Sequence, residues 1–277
     1  MSPGKINTAL TRFILPVSLV FLILSGCARP RWSEPLEDEE NTEVAGIITA
    51  MQEADKSCPD SFDGDALIFW KSPLNDTGVS GYLQLLAPSF VKFIISNPLG
   101  QPVYAFASNG ITFQSLNTRQ RQHIRGNVRT LAIRQELPLV LAQGDWFAYL
   151  SGRLPARSLG MLEVYRDNTD KTVWMLLAPL ESAKTLGKTW VHLDLEKRTV
   201  LGYLFLDRDG KTLAELSYNN QEERTDYCMP SEKIILTDLP WGSEISIKLK
   251  NIRTDTNYRV TDFSLPVPSG YARQLRP

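Results

Sequence analysis

The sequence predicts a mainly β fold with a few helices (α+β), in which a single curved antiparallel sheet wraps around the helical segments. Three observations predict it. Apolar residues recur at every second position in about eleven short segments, as they do in strands. Proline, glycine, asparagine and serine separate these segments at turns. Helical spacing interrupts the series once, between Val128 and Gly152, and another helical segment precedes the first strand.

The first predicted element is a helix over residues 42–56, where apolar residues from Val44 to Met51 share one face that packs on the sheet. Period-two segments then predict strands at 66–70, 81–86, 90–95, 103–107 and 111–114. Pro138 divides the helical interruption, and Gly152 is placed to cap its second half. Further strands are predicted at 161–165, 173–177, 189–193, 200–206, 213–218 and 245–250. Several strands are apolar on both faces, so either both faces are covered or one lines a cavity.

The first 27 residues predict an export signal. Lys5 and Arg12 precede the apolar run 13–24, which would measure about 18 Å as a helix, well short of the ~30 Å hydrocarbon core of a bilayer. The run ends in Leu-Ser-Gly-Cys, which resembles the bacterial lipobox, so we predict cleavage after residue 26 and lipidation of Cys27. An ordinary signal peptide with an incidental cysteine is the alternative.

The chain therefore divides into a signal peptide at 1–26, a lipidated N-terminus with a flexible tether at 27–41, and one domain at 42–277. The tether is predicted from proline, tryptophan and the acidic run at 37–40. Ala28 follows the cysteine, whereas aspartate there would indicate the inner membrane by resemblance to enterobacterial lipoproteins. The expected location is the periplasmic face of the outer membrane, with the protein anchored through Cys27.

Composition and motifs argue against several classes of function. Thirty basic side chains are balanced by 31 acidic ones, so no nucleic-acid partner is expected. Two histidines and three cysteines leave little material for a metal site, and no cofactor is expected. There is no nucleophile elbow, phosphate loop or dinucleotide motif, and His123 and His192 lie in no motif with a partner base. We therefore expect a binding protein and not an enzyme.

Cys58 and Cys228 are the two thiols that remain once Cys27 is lipidated. In an oxidising compartment they could form a disulfide that closes a long loop. Two free buried thiols are the alternative, because the sequence does not show whether their Cα atoms lie within reach.

Residues 94–106 resemble the strand, loop and strand of the LolB family of outer-membrane lipoprotein receptors. Their loop is Asn-Pro-Leu-Gly at 97–100, and that family presents the leucine of this loop to the membrane. Residues 136–155 resemble its central helix and 230–250 its last strand pair. The tail 253–277 goes beyond this match, and within it residues 263–271 are similar to the ending of wider members of the LolA/LolB-like superfamily. The resemblance implies an unclosed β-barrel with a helical lid, and a membrane-insertion loop at Pro98, Leu99 and Gly100.

The resemblance also implies an apolar cavity that holds acyl chains, and strand alternation suggests its lining. Lys92 and Ser96 mark the solvent face of one strand and Gln84 that of its neighbour, so the residues between them face inward. Residues of the second central helix would close the opening. The candidates are Leu83, Leu85, Val91, Phe93, Ile95, Trp146, Phe147 and Leu150. Each of them would otherwise be an ordinary core residue.

The function implied is that of a monomeric receptor that accepts acylated lipoproteins from a periplasmic LolA-like carrier and inserts them into outer-membrane lipid. One alternative is a superfamily relative that binds another lipid, or acts as a periplasmic sensor or envelope-assembly scaffold. A lipid-ester hydrolase is a second alternative, for which the sequence shows no nucleophile–base pair.

Overall fold

Fifteen strands form one open sheet in the computed structural model, which describes residues 32–155, 163–167, 171–177, 187–219, 228–239 and 243–276. In chain order they are β1 (Trp32–Pro35), β2 (Ser61–Lys71), β3 (Asp76–Leu86), β4 (Phe90–Ser96), β5 (Pro102–Ser108), β6 (Thr112–Asn117), β7 (Gln122–Asn127), β8 (Val164–Asp167), β9 (Thr172–Leu176), β10 (Lys188–Asp194), β11 (Thr199–Leu206), β12 (Thr212–Asn219), β13 (Lys233–Leu239), β14 (Ser243–Arg253) and β15 (Ala272–Arg276). The predicted signal peptide and Cys27 lie outside the described residues, as do positions 161 and 162 of one predicted strand.

The sheet begins at β1 and ends at β15, in the order β1-β8-β9-β10-β11-β12-β13-β14-β2-β3-β4-β5-β6-β7-β15. Neighbouring strands are antiparallel, apart from the parallel pair β7 and β15. Edge strands β1 and β15 are not neighbours in this order, so the sheet stays open. The predicted single open sheet is confirmed, whereas the parallel last strand was not expected, because Ala-Arg-Gln-Leu-Arg lacks apolar alternation.

The α-helices of the described ranges are α1 (Asp38–Asp55), α2 (Val128–Arg134), α3 (Leu139–Ala142) and α4 (Trp146–Ser151), and a short 3-10 helix covers Val260–Phe263. The helical region breaks at Pro138 as predicted, since proline lacks an N–H and disfavours helical backbone before it. Asp145 begins α4 by accepting a hydrogen bond from the Ala148 N–H (3.0 Å), and Gly152 ends it with a φ of +69°. Within these ranges, no helix has both the length and the apolar character needed to cross a bilayer.

Residues 32–41 differ from the flexible tether that the sequence predicts. β1 pairs with β8, and the ring of Trp32 stacks on Trp190 of β10 with centroids 4.5 Å apart. The acidic run forms the first turn of α1, where the helix dipole favours negative charge. Glu40 of this turn also forms an ion pair with Arg166 of β8. The charges that suggest a solvated linker therefore begin a helix.

The main hydrophobic core lies where α1 and α4 pack on the inner face of the sheet. The Tyr149 ring of α4 lies edge-on to Tyr203 and Phe205 of β11, with centroids 4.9 and 5.2 Å apart. The hydroxyl of Tyr218 donates to the Tyr149 carbonyl (2.7 Å), so this buried polar group is satisfied. Close packing in this half of the sheet leaves the open space to the other half, around β2–β5.

The C-terminal residues 254–271 cover part of the outer face of β2–β6. Gln84 donates to the hydroxyl of Tyr258 (2.7 Å), and Lys92 Nζ donates to the carbonyl of Asp262 (2.8 Å). Leu265 is buried against β5 and β6. Gln84 and Lys92 therefore occupy the face that alternation predicts, but this face is covered by the tail instead of being open to solvent.

Asp63 of β2 ties this tail to the sheet. Its buried carboxylate accepts hydrogen bonds from Arg253 Nε (2.9 Å) and from the hydroxyl of Tyr258 (2.5 Å). Burial raises the pKa of Asp63, but hydrogen bonds from Arg253, Tyr258 and Tyr82 outweigh it and hold the pKa below its usual value. The ionised carboxylate is therefore the form that the fold stabilises.

Acidification is expected to destabilise the fold through Asp63. A carboxyl group with a lowered folded-state pKa contributes stability above its ordinary pKa of ~3.9, and loses it as pH falls through the folded value. Asp63→Asn should cost about 1–3 kcal/mol near neutral pH and reduce the loss on acidification. Urea denaturation near neutral pH and at about pH 3 measures the loss of stability in the variant and its change on acidification. Asp65→Asn is the control, because Asp65 is an exposed residue of the same strand. Equal acid losses in wild type and Asp63→Asn would contradict the assignment.

Candidate functional site

An open apolar groove of about 400 Å³ lies between the inner face of the sheet and the helices. Strands β2–β5 and β14 form one wall, and α2–α4 with the connection between α2 and α3 form the other. The lining residues are Ile68, Leu83, Val91, Phe93, Tyr104, Phe106, Ser108, Val128, Leu131, Ala132, Leu137, Ala142, Trp146, Leu150, Ile245 and Ile247. None of these side chains is charged, so the groove is suited to an apolar ligand.

The strand wall of the groove follows from period-two alternation. Phe93 of β4 stands opposite Leu83 of β3 and Phe106 of β5, so the three side chains share the inner face. Gly81 leaves room for the Phe93 ring, because a Cβ at that glycine would lie 2.7 Å from it. Burial raises the pKa of the Tyr104 hydroxyl, the main polar group of this wall, so it remains neutral.

The helical wall presents apolar surface because polar side-chain atoms near it bond to the backbone of the helices. Trp146 Nε1 donates to the carbonyl of Ala142 (3.3 Å), which leaves the indole body facing the groove. Leu150 follows one turn later on the same face of α4. Asn127 caps α2 by accepting from the Arg129 N–H (2.7 Å), and so fixes the start of the helix that forms the rest of this wall.

The structure separates the eight candidate lining residues into two groups. Five of them line the groove: Leu83, Val91, Phe93, Trp146 and Leu150. Leu85 is fully buried in the main core, and Phe147 packs on Phe62 with ring centroids 5.6 Å apart. Ile95 is half-buried near the end of β4, outside the groove lining. Alternation gives the correct face for the strands, but depth along each strand and the rotation of α4 decide which residues reach the groove.

Several lining residues were not among the candidates. Ile68, Ile245 and Ile247 come from β2 and β14, which are adjacent in the sheet although far apart in sequence, and Ile68 stands opposite Ile247. The regular alternation of 245–250 was visible in the sequence and could have signalled a groove wall. The α2 residues carry no comparable signal, because their helical spacing equally suits a core.

The predicted membrane-insertion loop joins β4 to β5 and exposes its leucine. The side-chain oxygen of Asn97 accepts hydrogen bonds from the N–H groups of Leu99 and Gln101 (3.0 Å each), which fixes the turn. Gly100 has a φ of +78°, a conformation that favours glycine. Pro98 and Leu99 point away from the fold, and Leu99 is 84% exposed. The sheet cannot bury this leucine.

Cys58 and Cys228 form a disulfide, one of the two alternatives that the sequence leaves open. The bond joins the connection between α1 and β2 to the segment before β13. The buried guanidinium of Arg153 links the same two segments, since it donates to the carbonyls of Pro59 (2.8 Å) and Cys228. The disulfide and Arg153 therefore hold the same two segments together, and neither cysteine lines the apolar groove.

The histidines lie away from the groove. His123 of β7 has its pKa lowered by burial and by the nearby charges of Arg273 and Arg125. Burial also lowers the pKa of His192, against the opposing charge of Asp167, whose carboxylate lies 3.1 Å from its Nε2. Within the described ranges, no group of three or more His, Cys, Asp or Glu side chains could hold a metal ion. The groove lining supplies an apolar surface and no acid–base pair.

Comparisons with known proteins identify the fold through structure and not through sequence. No family model matches the chain, and a search of curated proteins finds no match. Among solved structures, the chain is similar to an outer membrane lipoprotein-sorting protein domain from Vibrio parahaemolyticus, with a TM-score of 0.51 and 14% identity over 78% of this chain and 94% of that one.

Two further solved structures agree with it. A LolA superfamily protein from Nitrosomonas europaea gives a TM-score of 0.51 and 16% identity, covering 80% of this chain and 97% of that chain. A DUF1329 family protein from Desulfovibrio piger gives a TM-score of 0.55 and 11% identity, covering 80% and 96%. These neighbours establish a LolA-like fold: one large, open, mostly antiparallel sheet with few helices.

Proposed function

We propose that this protein is a lipid-anchored receptor of the outer membrane, which takes the acyl chains of lipoproteins into its groove and delivers the lipoproteins to the membrane. The observation that carries the proposal is the open groove without a charged lining residue, on a LolA-like fold. Its volume of about 400 Å³ falls within the ~300–1,000 Å³ usual for ligand sites. Every step requires binding and release alone, so no catalytic group is involved.

The groove avoids the main energetic cost of moving an acylated protein through water, which is the exposure of its acyl chain. A C16 acyl chain exposed to water costs about 12 kcal/mol, at ~0.8 kcal/mol per CH₂. Transfer through the free aqueous state would therefore be extremely slow. Direct passage from the cavity of a periplasmic LolA-like carrier to this groove exchanges one apolar environment for another and avoids most of that cost. The Phe93, Phe106 and Trp146 side chains provide the receiving surface.

Anchoring and discharge use two other parts of the chain. Lipidation of Cys27, after cleavage of the signal peptide, holds the receptor on the periplasmic face of the outer membrane. Leu99 then directs discharge: burying one leucine in lipid contributes about 1.5–3 kcal/mol, which is too little to anchor the protein but enough to favour contact between its loop and the bilayer. The partners are the carrier, the acylated cargo and outer-membrane lipid, and one copy of the chain contains the whole groove.

Replacing Leu99 by glutamate is expected to leave loading intact and slow discharge, so that purified receptor carries several times more acylated lipoprotein than wild type. The loop is exposed, so folding should not change, whereas a carboxylate opposes entry into hydrocarbon. Mass spectrometry of the molecules that co-purify measures this, with Gln101→Glu on the same loop as control. Wild-type levels of bound lipoprotein together with normal delivery would overturn the role of Leu99. A different lipid in the groove would favour a superfamily relative with another ligand.

A further inference from the structure

The β2–β3 hairpin carries a second exposed apolar tip. Leu74 stands at this tip, 97% exposed, in the sequence Ser-Pro-Leu-Asn at 72–75. Leu99 stands at the tip of the β4–β5 hairpin, 84% exposed, in Asn-Pro-Leu-Gly at 97–100. Both tips are free of charged residues, and each presents a leucine directly after a proline.

The two tips lie at the same end of the sheet. β3 pairs antiparallel with both β2 and β4, so β2 and β4 run in the same direction and their following turns share one end. The two hairpins are two strand spacings apart, or ~10 Å. Toward this end of the sheet, the last residue pair between β3 and β4 is Tyr82 with Ile94. The pairing of β2 with β3 continues further, to Lys71 with Asp76. The Leu74 tip therefore extends about three residues, or ~10 Å, beyond Leu99.

Exposed aromatic side chains flank Leu74 on both faces of its hairpin. Trp70 is 46% exposed and stands opposite Ile245, which lines the groove, so apolar surface continues from the groove to the tip. Phe69 is 43% exposed on the other face, where the absent side chain of Gly78 leaves room for its ring. The first charged pair, Lys71 and Asp76, sits at the base of the four-residue turn.

We propose that the β2–β3 hairpin is a second membrane-contacting element, in which Leu74 enters the hydrocarbon of a phospholipid bilayer while Phe69 and Trp70 lie at its interface. Two separate convex tips, each with a single leucine, fit a deformable medium better than a preformed protein pocket. Neither tip has a charge to desolvate, tryptophan favours the bilayer interface, and phenylalanine is among the residues that interfacial segments bury at the headgroup boundary. The inference rests on the proposed function for the orientation of the groove toward the membrane.

Full-length lipidated protein with Leu74→Cys tests the inference. The proposed lipidation blocks the thiol of Cys27, and Cys58 is bonded to Cys228, so an NBD fluorophore attaches to the introduced thiol alone. In vesicles of phosphatidylethanolamine and phosphatidylglycerol, we expect NBD emission at position 74 to shift to shorter wavelength, and its quenching by aqueous iodide to be several-fold weaker than that of NBD at a control position in the same vesicles. The matched control is Ile111→Cys, an exposed apolar position (65%) at the turn between β5 and β6, at the opposite end of the sheet.

A labelled Leu99→Cys protein separates this inference from the proposed function. Protection from iodide at position 74, with or without protection at 99, supports the second element. A probe at 74 that remains as open to iodide as the probe at 111, while the probe at 99 is protected, overturns the second element alone. If the probes at 74 and at 99 are both as accessible to iodide as the probe at 111, the second element is overturned, and so is the membrane contact proposed for Leu99.

Discussion

Replacing Phe93 by glutamine is expected to weaken acyl-chain binding at least tenfold. Phe93 lies near the middle of the strand wall, between Leu83 and Phe106, and its ring forms groove surface. Losing an apolar contact of this size removes about 1.5–3 kcal/mol, and each 1.4 kcal/mol corresponds to a tenfold change in affinity. Displacement of a fluorescent fatty acid from a soluble Cys27→Ala form without residues 1–26 measures the change.

The control for this prediction is Ile94→Gln. Ile94 is the next residue of β4, is half-buried as Phe93 is, and packs on the opposite face with Ala105 and Leu265. Both variants should lose comparable stability, but Ile94→Gln should bind fatty acid as the wild type does. Equal affinities in the two variants would mean that the groove is not where acyl chains bind.

Removing the disulfide is expected to cost about 2–5 kcal/mol of unfolding free energy. Cys58 and Cys228 are 170 residues apart, so their bond restricts most of the unfolded chain. Cys58→Ser combined with Cys228→Ser removes the bond and keeps the backbone carbonyl at position 228, which accepts a hydrogen bond from buried Arg153. Urea denaturation of the double variant and of oxidised wild type gives the difference.

Urea denaturation repeated with and without dithiothreitol distinguishes the contribution of the covalent bond from that of local packing. Dithiothreitol should lower the stability of the wild type toward that of the double serine variant and leave the variant unchanged. A wild type whose urea midpoint does not respond to reductant would show that the bond contributes nothing to stability. Acyl-chain binding at low temperature should survive in the double variant, because neither cysteine lines the groove.

The elements that were predictable from sequence are those with local signals. Alternation in β4 and β14, the break at Pro138 and the capping glycine Gly152 each depend on neighbours a few residues away. β1 and β15 depend on distant partners: β1 is held by β8 and by the stacking of Trp32 on Trp190, and β15 by β7. Such short edge strands lack a pattern of their own, so sequence reasoning placed a tether where β1 lies.

The residues that line the groove show the same limit of sequence-based prediction, here for single side chains. Trp146 and Phe147 are adjacent in α4, and about 100° of helix rotation sends one to the groove and the other to Phe62. Periodicity identifies an apolar helix without fixing that rotation. Gln84 and Lys92 likewise look solvent-facing, because only the fold brings Tyr258 and the carbonyl of Asp262 to them from the far end of the chain.

The early start of β1 limits how the fold can sit on a membrane. Antiparallel pairing at each step from β2 through β14 to β1 gives β1 and β2 the same direction, so Trp32 begins its strand at the end of the sheet opposite to Leu74 and Leu99. If Cys27 is lipidated as proposed, the four residues between it and Trp32 allow a span of at most ~18 Å, which is shorter than the ~36 Å length of the 11-residue strand β2. Such an anchor would hold the start of β1 close to the bilayer. Contact at the two leucine tips would then require the sheet to lie along the membrane surface instead of standing upright on it.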